Sequence, residues 1–121
     1  MHVIGAVDDA AALLAASDAL VVPSRTEGIP AVAIEAGMAG LPVVACTVGG
    51  LAEVVEDGRT GRLVGDRRPE SMAAALAEVL DPSTGEAMGQ AARERCVARF
   101  ALDAVAARWA TLLGQVGGTV R

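Results

Sequence analysis

Short apolar runs alternate with helix-like stretches along this chain, and this alternation limits the possible folds more than any other feature. Leu20–Val22 and Val43–Cys46 are apolar at consecutive positions, as strands buried on both faces of a parallel sheet are. Residues 31–39 between them have the composition of a helix, and Gly40 fits its end. Because strands that alternate with helices form parallel βαβ units, the sequence predicts an α/β protein.

The same pattern continues on both sides of this unit. We predict the end of a strand at residues 2–4 and a helix that Asp8 or Asp9 caps and that runs to Ala16. Later elements are a short helix at 51–55, a brief strand at 63–64, and helices at 69–80, about 84–99 and 102–116. The last helix carries apolar residues on one face, which we interpret as a core-packing face: Val105, Trp109, Leu112, Leu113 and Val116.

Two carboxylates, Glu27 and Glu35, lie at the junction between Leu20–Val22 and the helix that follows it. Pro30 fits the start of that helix, so Glu27 stays on the loop while Glu35 comes from the helix a little over one turn later. The junction follows the carboxyl end of a strand, where open α/β sheets bind ligands against a phosphate-favouring helix N-terminus. Two acceptors that approach from two directions suit a polyhydroxylated ligand, and the sequence therefore indicates a sugar nucleotide.

Composition excludes several other functions. The net charge of −5 argues against binding to nucleic acids and anionic membranes, which depends on clustered positive charge. All ten basic residues are arginines, and only Arg25 is near the junction in sequence. No apolar run reaches the ~18 residues of a membrane span, and the N-terminus lacks a signal-peptide pattern, so we expect a cytoplasmic protein.

The cysteines and the single histidine have ordinary interpretations. Cys46 closes an apolar run and Cys96 lies in a helical stretch, so we expect two buried free thiols rather than a disulfide. Neither has metal-ligand spacing to another residue. No motif supplies His2 with a Ser or Cys partner, so we interpret it as a surface or strand-edge residue.

Four segments together resemble a known family. Residues 23–36 (Pro-Ser-Arg-Thr-Glu-Gly through Glu-Ala), 40–45 (Gly-Leu-Pro-Val-Val-Ala), 49–55 (Gly-Gly-Leu-Ala-Glu-Val-Val) and 56–64 (Glu-Asp-Gly-Arg-Thr-Gly-Arg-Leu-Val) follow one another at matching spacing. They are similar to the donor-binding domain of retaining glycosyltransferases of the glycogen synthase and sucrose synthase superfamily. The resemblance extends back to Gly5 and covers nearly all 121 residues.

This resemblance implies a fold and a truncation. Members of the superfamily have the GT-B fold, in which two Rossmann-like domains enclose the active site. The resemblance therefore implies a partial three-layer Rossmann-like parallel sheet, made of the later strands of the C-terminal domain and followed by C-terminal helices. Residues 1–116 would form this partial domain and residues 117–121 a flexible tail. A missing N-terminal domain or self-association would complete it.

The resemblance also assigns roles to residues. It implies that Glu35 accepts hydrogen bonds from ribose hydroxyls and that Glu27, as the catalytic residue, contacts the transferred hexose. The donor would be a UDP-, GDP- or ADP-sugar, with no metal and no further cofactor. The remaining donor-binding residues lie on the two loops after the strands: Gly28, Ile29, Pro30, Ala31, Thr47, Gly49 and Gly50.

Three functions stay open at this level. The first is the donor-binding part of a glycosyltransferase that transfers a hexose with retention, inactive as this chain alone. The second is a non-catalytic nucleotide-binding fragment or interaction module that another chain completes. The third is a dinucleotide-dependent enzyme. The sequence argues against this function, because no G-x-G-x-x-G motif follows any predicted strand.

Overall fold

A computed structural model describes residues 1–118 as three strands and six helices. In chain order these are α1 (Ala10–Ala15), β1 (Leu20–Val22), α2 (Ala31–Met38), β2 (Val43–Cys46), α3 (Leu51–Val54), β3 (Gly61–Val64), α4 (Pro69–Val79), α5 (Pro82–Phe100) and α6 (Leu102–Gly117). The predicted alternation of strands and helices is confirmed.

The three strands form one parallel sheet in the order β1-β2-β3. Leu20 of β1 is the register partner of Val43, and Val43 is also the register partner of Gly61 in β3. All four residues of the central strand β2 are buried. The continuous apolar run of β2 is therefore explained by cover on both faces of the sheet.

Helices cover the sheet on both sides and make three layers. On one face, Val22, Val43 and Ala45 join a core cluster with residues of α2, α3 and α5. On the other face, Val44 and Val64 pack with residues of α4 and with Met88. The predicted α/β class and three-layer parallel arrangement are confirmed.

Two arginines of α5 hold the ends of the helices that follow β1 and β2. Arg93 donates to the Met38 carbonyl oxygen at the end of α2, at 3.1 Å. Arg95 donates to the carbonyl oxygens of Glu53 (3.0 Å) and Val54 (3.2 Å), at the end of α3. Positive charge at a helix C-terminus satisfies free carbonyls and complements the helix dipole. Helix α5 thus fixes both helices that begin at the carboxyl edge of the sheet.

Helix starts follow the sequence signals closely. Asp9 caps α1, and its side chain accepts a hydrogen bond from the Ala12 N–H at 2.9 Å. Asp81 caps α5 in the same way and accepts from the Thr84 N–H at 3.0 Å, so that this helix begins at Pro82, two residues earlier than predicted. Gly40 follows α2 with a φ of +80°, as a helix-terminating glycine does.

The strand predicted at residues 2–4 is absent from the described structure. His2, Val3 and Ile4 are exposed, with relative exposures of 85% for Val3 and 59% for Ile4. A strand exists only where a neighbouring strand accepts its hydrogen bonds, and within residues 1–118 the sheet ends at β1. This prediction was wrong, although His2 does lie at the surface as expected.

The interpretation of α6 as a core-packing helix was also wrong. Within the described part of the chain α6 has no buried residue, and Trp109, Leu113 and Val116 are 58%, 61% and 54% exposed. The helix extends through Gly117, so this residue belongs to α6 and not to the tail predicted at 117–121. Residues 119–121 of that predicted tail lie outside the described structure.

Two further predictions concern the thiols and membranes. Cys46 and Cys96 are both buried and free, as predicted, and burial raises the pKa of the Cys96 thiol. No helix within residues 1–118 has the length and apolar character needed to cross a membrane.

Candidate functional site

The loop from β1 to α2 carries most of the predicted site residues. Strand β1 ends at Val22, and Pro30 stands at the cap position of α2 with φ −72° and ψ 121°. Pro30 forms no side-chain cap, so no capping side chain occupies the first N–H groups of α2. Apart from the Ala33 N–H, which donates to the Pro30 carbonyl oxygen at 3.1 Å, these donors and the helix dipole make the start of α2 suitable for an anion. Ala31, the first residue of the helix, is exposed there.

Glu27 and Glu35 reach this region from the loop and from the helix. Glu27 is half-buried, and Glu35 is exposed because the buried positions of α2 are Ala33, Ala36 and Gly37. Neither carboxylate forms a hydrogen bond or ion pair with any residue between 1 and 118. Both keep their oxygens available to hydroxyl groups of a ligand, and ionised carboxylates are strong acceptors.

The structure brings the two predicted donor loops into direct contact. The Gly50 N–H donates to the Gly28 carbonyl oxygen at 2.7 Å, which joins the loop after β2 to the loop after β1. Gly49 has a φ of +52°, and a Cβ atom there would overlap the Glu27 carbonyl oxygen. A Cβ atom on Gly50 would overlap the Ile29 side chain. The two glycines are therefore required by the close approach of the backbone that carries Glu27.

The loop after β2 is also anchored to the sheet. Thr47 donates its N–H to the Val64 carbonyl oxygen at 3.0 Å and is otherwise exposed. Gly50 caps α3, whose far end Arg95 holds. All nine predicted site residues thus lie on these two loops and the first turns of α2, at the carboxyl edge of the sheet.

A cavity of about 740 Å³ opens at the same edge, on the α4 face of the sheet. Three arginines line it: Arg25 from the loop before Glu27, and Arg67 and Arg68 from the start of α4. Arg67 and Arg68 are far from Arg25 in sequence and were not predicted to belong to the site. The sequence signal that could have indicated them is their position directly before Pro69, at a predicted helix start.

Hydrogen bonds order one of these arginines. The side chain of Asp66 accepts from the Arg68 N–H at 3.1 Å and from the Ser71 hydroxyl at 2.7 Å, and it pairs with the Arg68 guanidinium at 3.1 Å. The Ser71 hydroxyl and then the Arg68 N–H lower the pKa of Asp66. Among the residues described, no three His, Cys, Asp or Glu side chains group as a metal site would require.

Comparison with known proteins identifies what this architecture is similar to. A family model described as glycosyl transferases group 1 matches residues 1–82. A D-inositol 3-phosphate glycosyltransferase of Catenulispora acidiphila is 48% identical over 93 residues, which are 76% of this chain and 22% of that protein.

Solved structures agree with this result. A sucrose-phosphate synthase from Thermosynechococcus elongatus superposes with a TM-score of 0.80 at 36% identity, over 88% of this chain and 27% of that one. The Anabaena HepE protein, solved in complex with UDP, gives 0.81 at 27% identity, over 93% and 31%. The chain therefore spans between about a fifth and a third of the length of these proteins.

Proposed function

The chain belongs to the group 1 glycosyl transferases, and from that membership we propose that it holds the nucleotide-sugar donor of a hexose transfer that proceeds with retention. One observation supports this most directly. Glu27 precedes the start of α2 and Glu35 follows it, neither carboxylate has a partner among residues 1–118, and the Gly50 to Gly28 hydrogen bond holds the loop of Glu27 in place.

Each part of the donor has a matching group in this arrangement. Glu35 accepts hydrogen bonds from the ribose hydroxyls, since it is exposed one turn into α2. The free N–H groups and dipole at the start of α2 face the diphosphate, whose leaving-group charge they stabilise. Glu27 contacts hydroxyls of the transferred hexose as the catalytic residue, because its loop precedes the helix.

The surrounding backbone completes the donor site. Gly28 and Ile29 approach the sugar and phosphate from one loop, and Thr47, Gly49 and Gly50 approach from the other. A Cβ atom at Gly28 would have no heavy atom within 4 Å, so the missing side chain leaves open space in which a ligand can approach the backbone. The donor is a UDP-, GDP- or ADP-sugar, and no metal or other cofactor is needed.

Transfer of the hexose also requires an acceptor site, which we do not find within residues 1–118. Relatives are several times longer, and we propose that an N-terminal domain or a second chain supplies the acceptor side of the cleft. Positioning the acceptor can lower a barrier by several kcal/mol, so we expect the 121 residues alone to bind donor without turning it over. We place this activity in the cytoplasm.

A second candidate is a nucleotide-binding module without catalysis. The exposure of Glu35 favours it, as does the fact that neither carboxylate lines the cavity of about 740 Å³. Such a module would bind nucleotide and sugar nucleotide with equal affinity, because none of its residues would contact the hexose.

Calorimetric titration of UDP, GDP, ADP and NAD into the chain tests the proposal. Glu35→Gln should weaken the preferred nucleoside diphosphate by ~1.5–3 kcal/mol, the value of hydrogen bonds to a charged group. Glu86→Gln on α5 is the matched control, since Glu86 is exposed and distant in sequence from both loops. Equal affinity of Glu35→Gln and wild type would end the ribose assignment.

A second titration separates the two candidates. Glu27→Ala should weaken a UDP-sugar more than UDP itself if Glu27 contacts the hexose. The comparison is made with the chain and with a complex restored by an N-terminal domain. Equal weakening of both ligands in the restored complex would contradict the hexose role and favour the non-catalytic module.

A further inference from the structure

The cavity on the α4 face differs in charge from the rest of the molecule. The chain carries a net charge of −5, yet Arg25, Arg67 and Arg68 line this one cavity. No acidic side chain is among the described residues that line it. Such a concentration of guanidinium groups in an acidic protein marks a site for an anion.

Two of the three guanidinium groups have no partner within residues 1–118. Arg68 pairs with Asp66, which leaves it partly neutralised. Arg25 and Arg67 form no hydrogen bond or ion pair with any other residue of the described range 1–118. Each presents five N–H donors in a planar fork whose geometry matches the oxygens of phosphate.

The other residues that line the cavity indicate which further chemical groups the ligand has. Helix α4 begins at this cavity with Pro69 and has no side-chain cap, so its first N–H groups add to the positive potential. The floor is apolar and includes Met72, Leu76 and the buried Cys46. A volume of about 740 Å³ lies within the range of small-molecule pockets.

We propose that this cavity binds the phosphate group of a small molecule, with Arg25 and Arg67 as its principal ligands. It is a separate subsite from the carboxylate pair, because α4 covers the opposite face of the sheet from α2. The ligand chemistry that fits is a phosphate monoester on a small molecule, since the donor diphosphate is assigned to the start of α2 and no residue of α2 lines the cavity. The subsite does not depend on the proposed function, and only its distinction from the donor site does.

Variants can remove the charge without disturbing the fold. Arg67 has a φ of 57°, a conformation that glycine adopts without strain, so Arg67→Gly removes the guanidinium at a position suited to the new residue. Arg25 is exposed on a loop, and Arg25→Gln keeps most of its length. Arg59→Gln is the matched control, since it removes one positive charge from a residue that pairs with Glu56 outside the cavity.

The test titrates inorganic phosphate, glucose 6-phosphate and UDP into wild type, Arg25→Gln/Arg67→Gly, Arg59→Gln and Glu35→Gln. The double variant should bind phosphate and glucose 6-phosphate about tenfold more weakly or worse, and the Arg59 control should match wild type. If Glu35→Gln weakens only UDP and the double variant only the sugar phosphate, the source is a phosphate monoester. If both weaken UDP, and UDP displaces glucose 6-phosphate, the cavity belongs to the donor site and the proposal of a separate subsite is wrong.

Two further outcomes would overturn the subsite. One is that wild type and the double variant bind phosphate and glucose 6-phosphate with equal affinity, and the other is that wild type binds neither at millimolar concentration. Circular dichroism checks each variant, and Arg25→Gln alone provides the comparison if the double variant unfolds. The proposed function is tested separately by Glu35→Gln, which should weaken UDP binding and leave glucose 6-phosphate binding unchanged.

Discussion

Single residues set the geometry of the donor loops, and Gly49 does so most strictly. Its φ of +52° is a left-handed conformation, and its missing side chain leaves room for the Glu27 carbonyl oxygen. Only glycine satisfies both conditions without displacement. The position of Glu27 therefore depends on a residue 22 positions later in sequence, which belongs to another loop.

Gly49→Ala should displace the backbone at Glu27 and weaken sugar-nucleotide binding. The strained φ and the overlap together should cost about 1–3 kcal/mol in the free energy of unfolding. Urea unfolding and titration with UDP-glucose measure the two effects. Gly65→Ala is the control, because a Cβ atom at Gly65 has no heavy atom within 4 Å. Equal binding and stability in both variants would show that the loops can separate freely.

At the scale of elements, close packing of α2 against α5 supports the site. A Cβ atom on Gly37 of α2 would overlap the Sγ atom of Cys96 on α5, and one on Gly89 of α5 would overlap the Gly40 carbonyl oxygen. Small residues at these contacts let the two helices approach each other closely. The short distance between the helices also keeps Arg93 within reach of the end of α2.

Gly37→Ala should destabilise the protein by about 1–3 kcal/mol, the usual cost of overpacking. Gly114→Ala in α6 is the matched control, since its Cβ atom meets no heavy atom within 4 Å. There the change should be neutral or stabilising by about 0.5–1 kcal/mol, because alanine favours a helix more than glycine does. Thermal or urea unfolding decides between these outcomes, and equal effects at both positions would contradict the close approach of α2 and α5.

The cap of α5 should make part of the stability depend on pH. Two hydrogen bonds lower the pKa of Asp81. The bond from the Thr84 N–H has the larger effect, and the bond from the Ser83 hydroxyl adds to it. A carboxyl whose folded pKa is depressed contributes stability above its unfolded pKa, and that contribution disappears as pH falls through the folded value. Wild type should therefore lose stability below about pH 4, the range of an ordinary Asp.

Asp81→Asn should reduce this acid dependence, because asparagine also caps helices but does not titrate. Urea unfolding at a series of pH values from neutral to acid compares the two proteins, and Asp18→Asn serves as the control at another exposed Asp. Identical pH profiles for wild type and Asp81→Asn would show that the cap carboxylate contributes nothing.

At the scale of the whole molecule, the apolar face of α6 is the main exposed apolar surface of the C-terminal part. Leu102, Trp109 and Leu113 are 82%, 58% and 61% exposed. Large contiguous apolar patches are uncommon on monomeric proteins and promote association. The 121-residue chain should therefore associate with itself as its concentration rises.

Leu113→Glu should shift the chain toward the monomer by placing a charge in this face. Burying one leucine is worth about 1.5–3 kcal/mol, so the change in association should be readily measured. Sedimentation velocity over a concentration series gives the result, and Ala107→Glu, on the opposite side of α6 by helical spacing, is the control. A wild-type chain that stays monomeric at all concentrations would contradict the prediction.

From α1 onward, the sequence alone determined the type and order of the elements. Local signals predicted the strands β1 and β2, a cap at Asp8 or Asp9, and a helix end at Gly40. They also placed Glu27 on a loop and Glu35 on a helix. Such signals act within a few residues, so they can be recognised without knowledge of distant neighbours. The parallel sheet then follows from the alternation of strands and helices.

Contacts between distant residues were decided only by the tertiary structure. The overlap that requires Gly49, the cavity that Arg25 and Arg67 both line, and the exposure of Trp109 all depend on which segments lie side by side. The missing strand at residues 2–4 has the same origin, because an apolar run becomes a strand only beside a partner. Local propensity specifies an element, whereas pairing and burial depend on the rest of the fold.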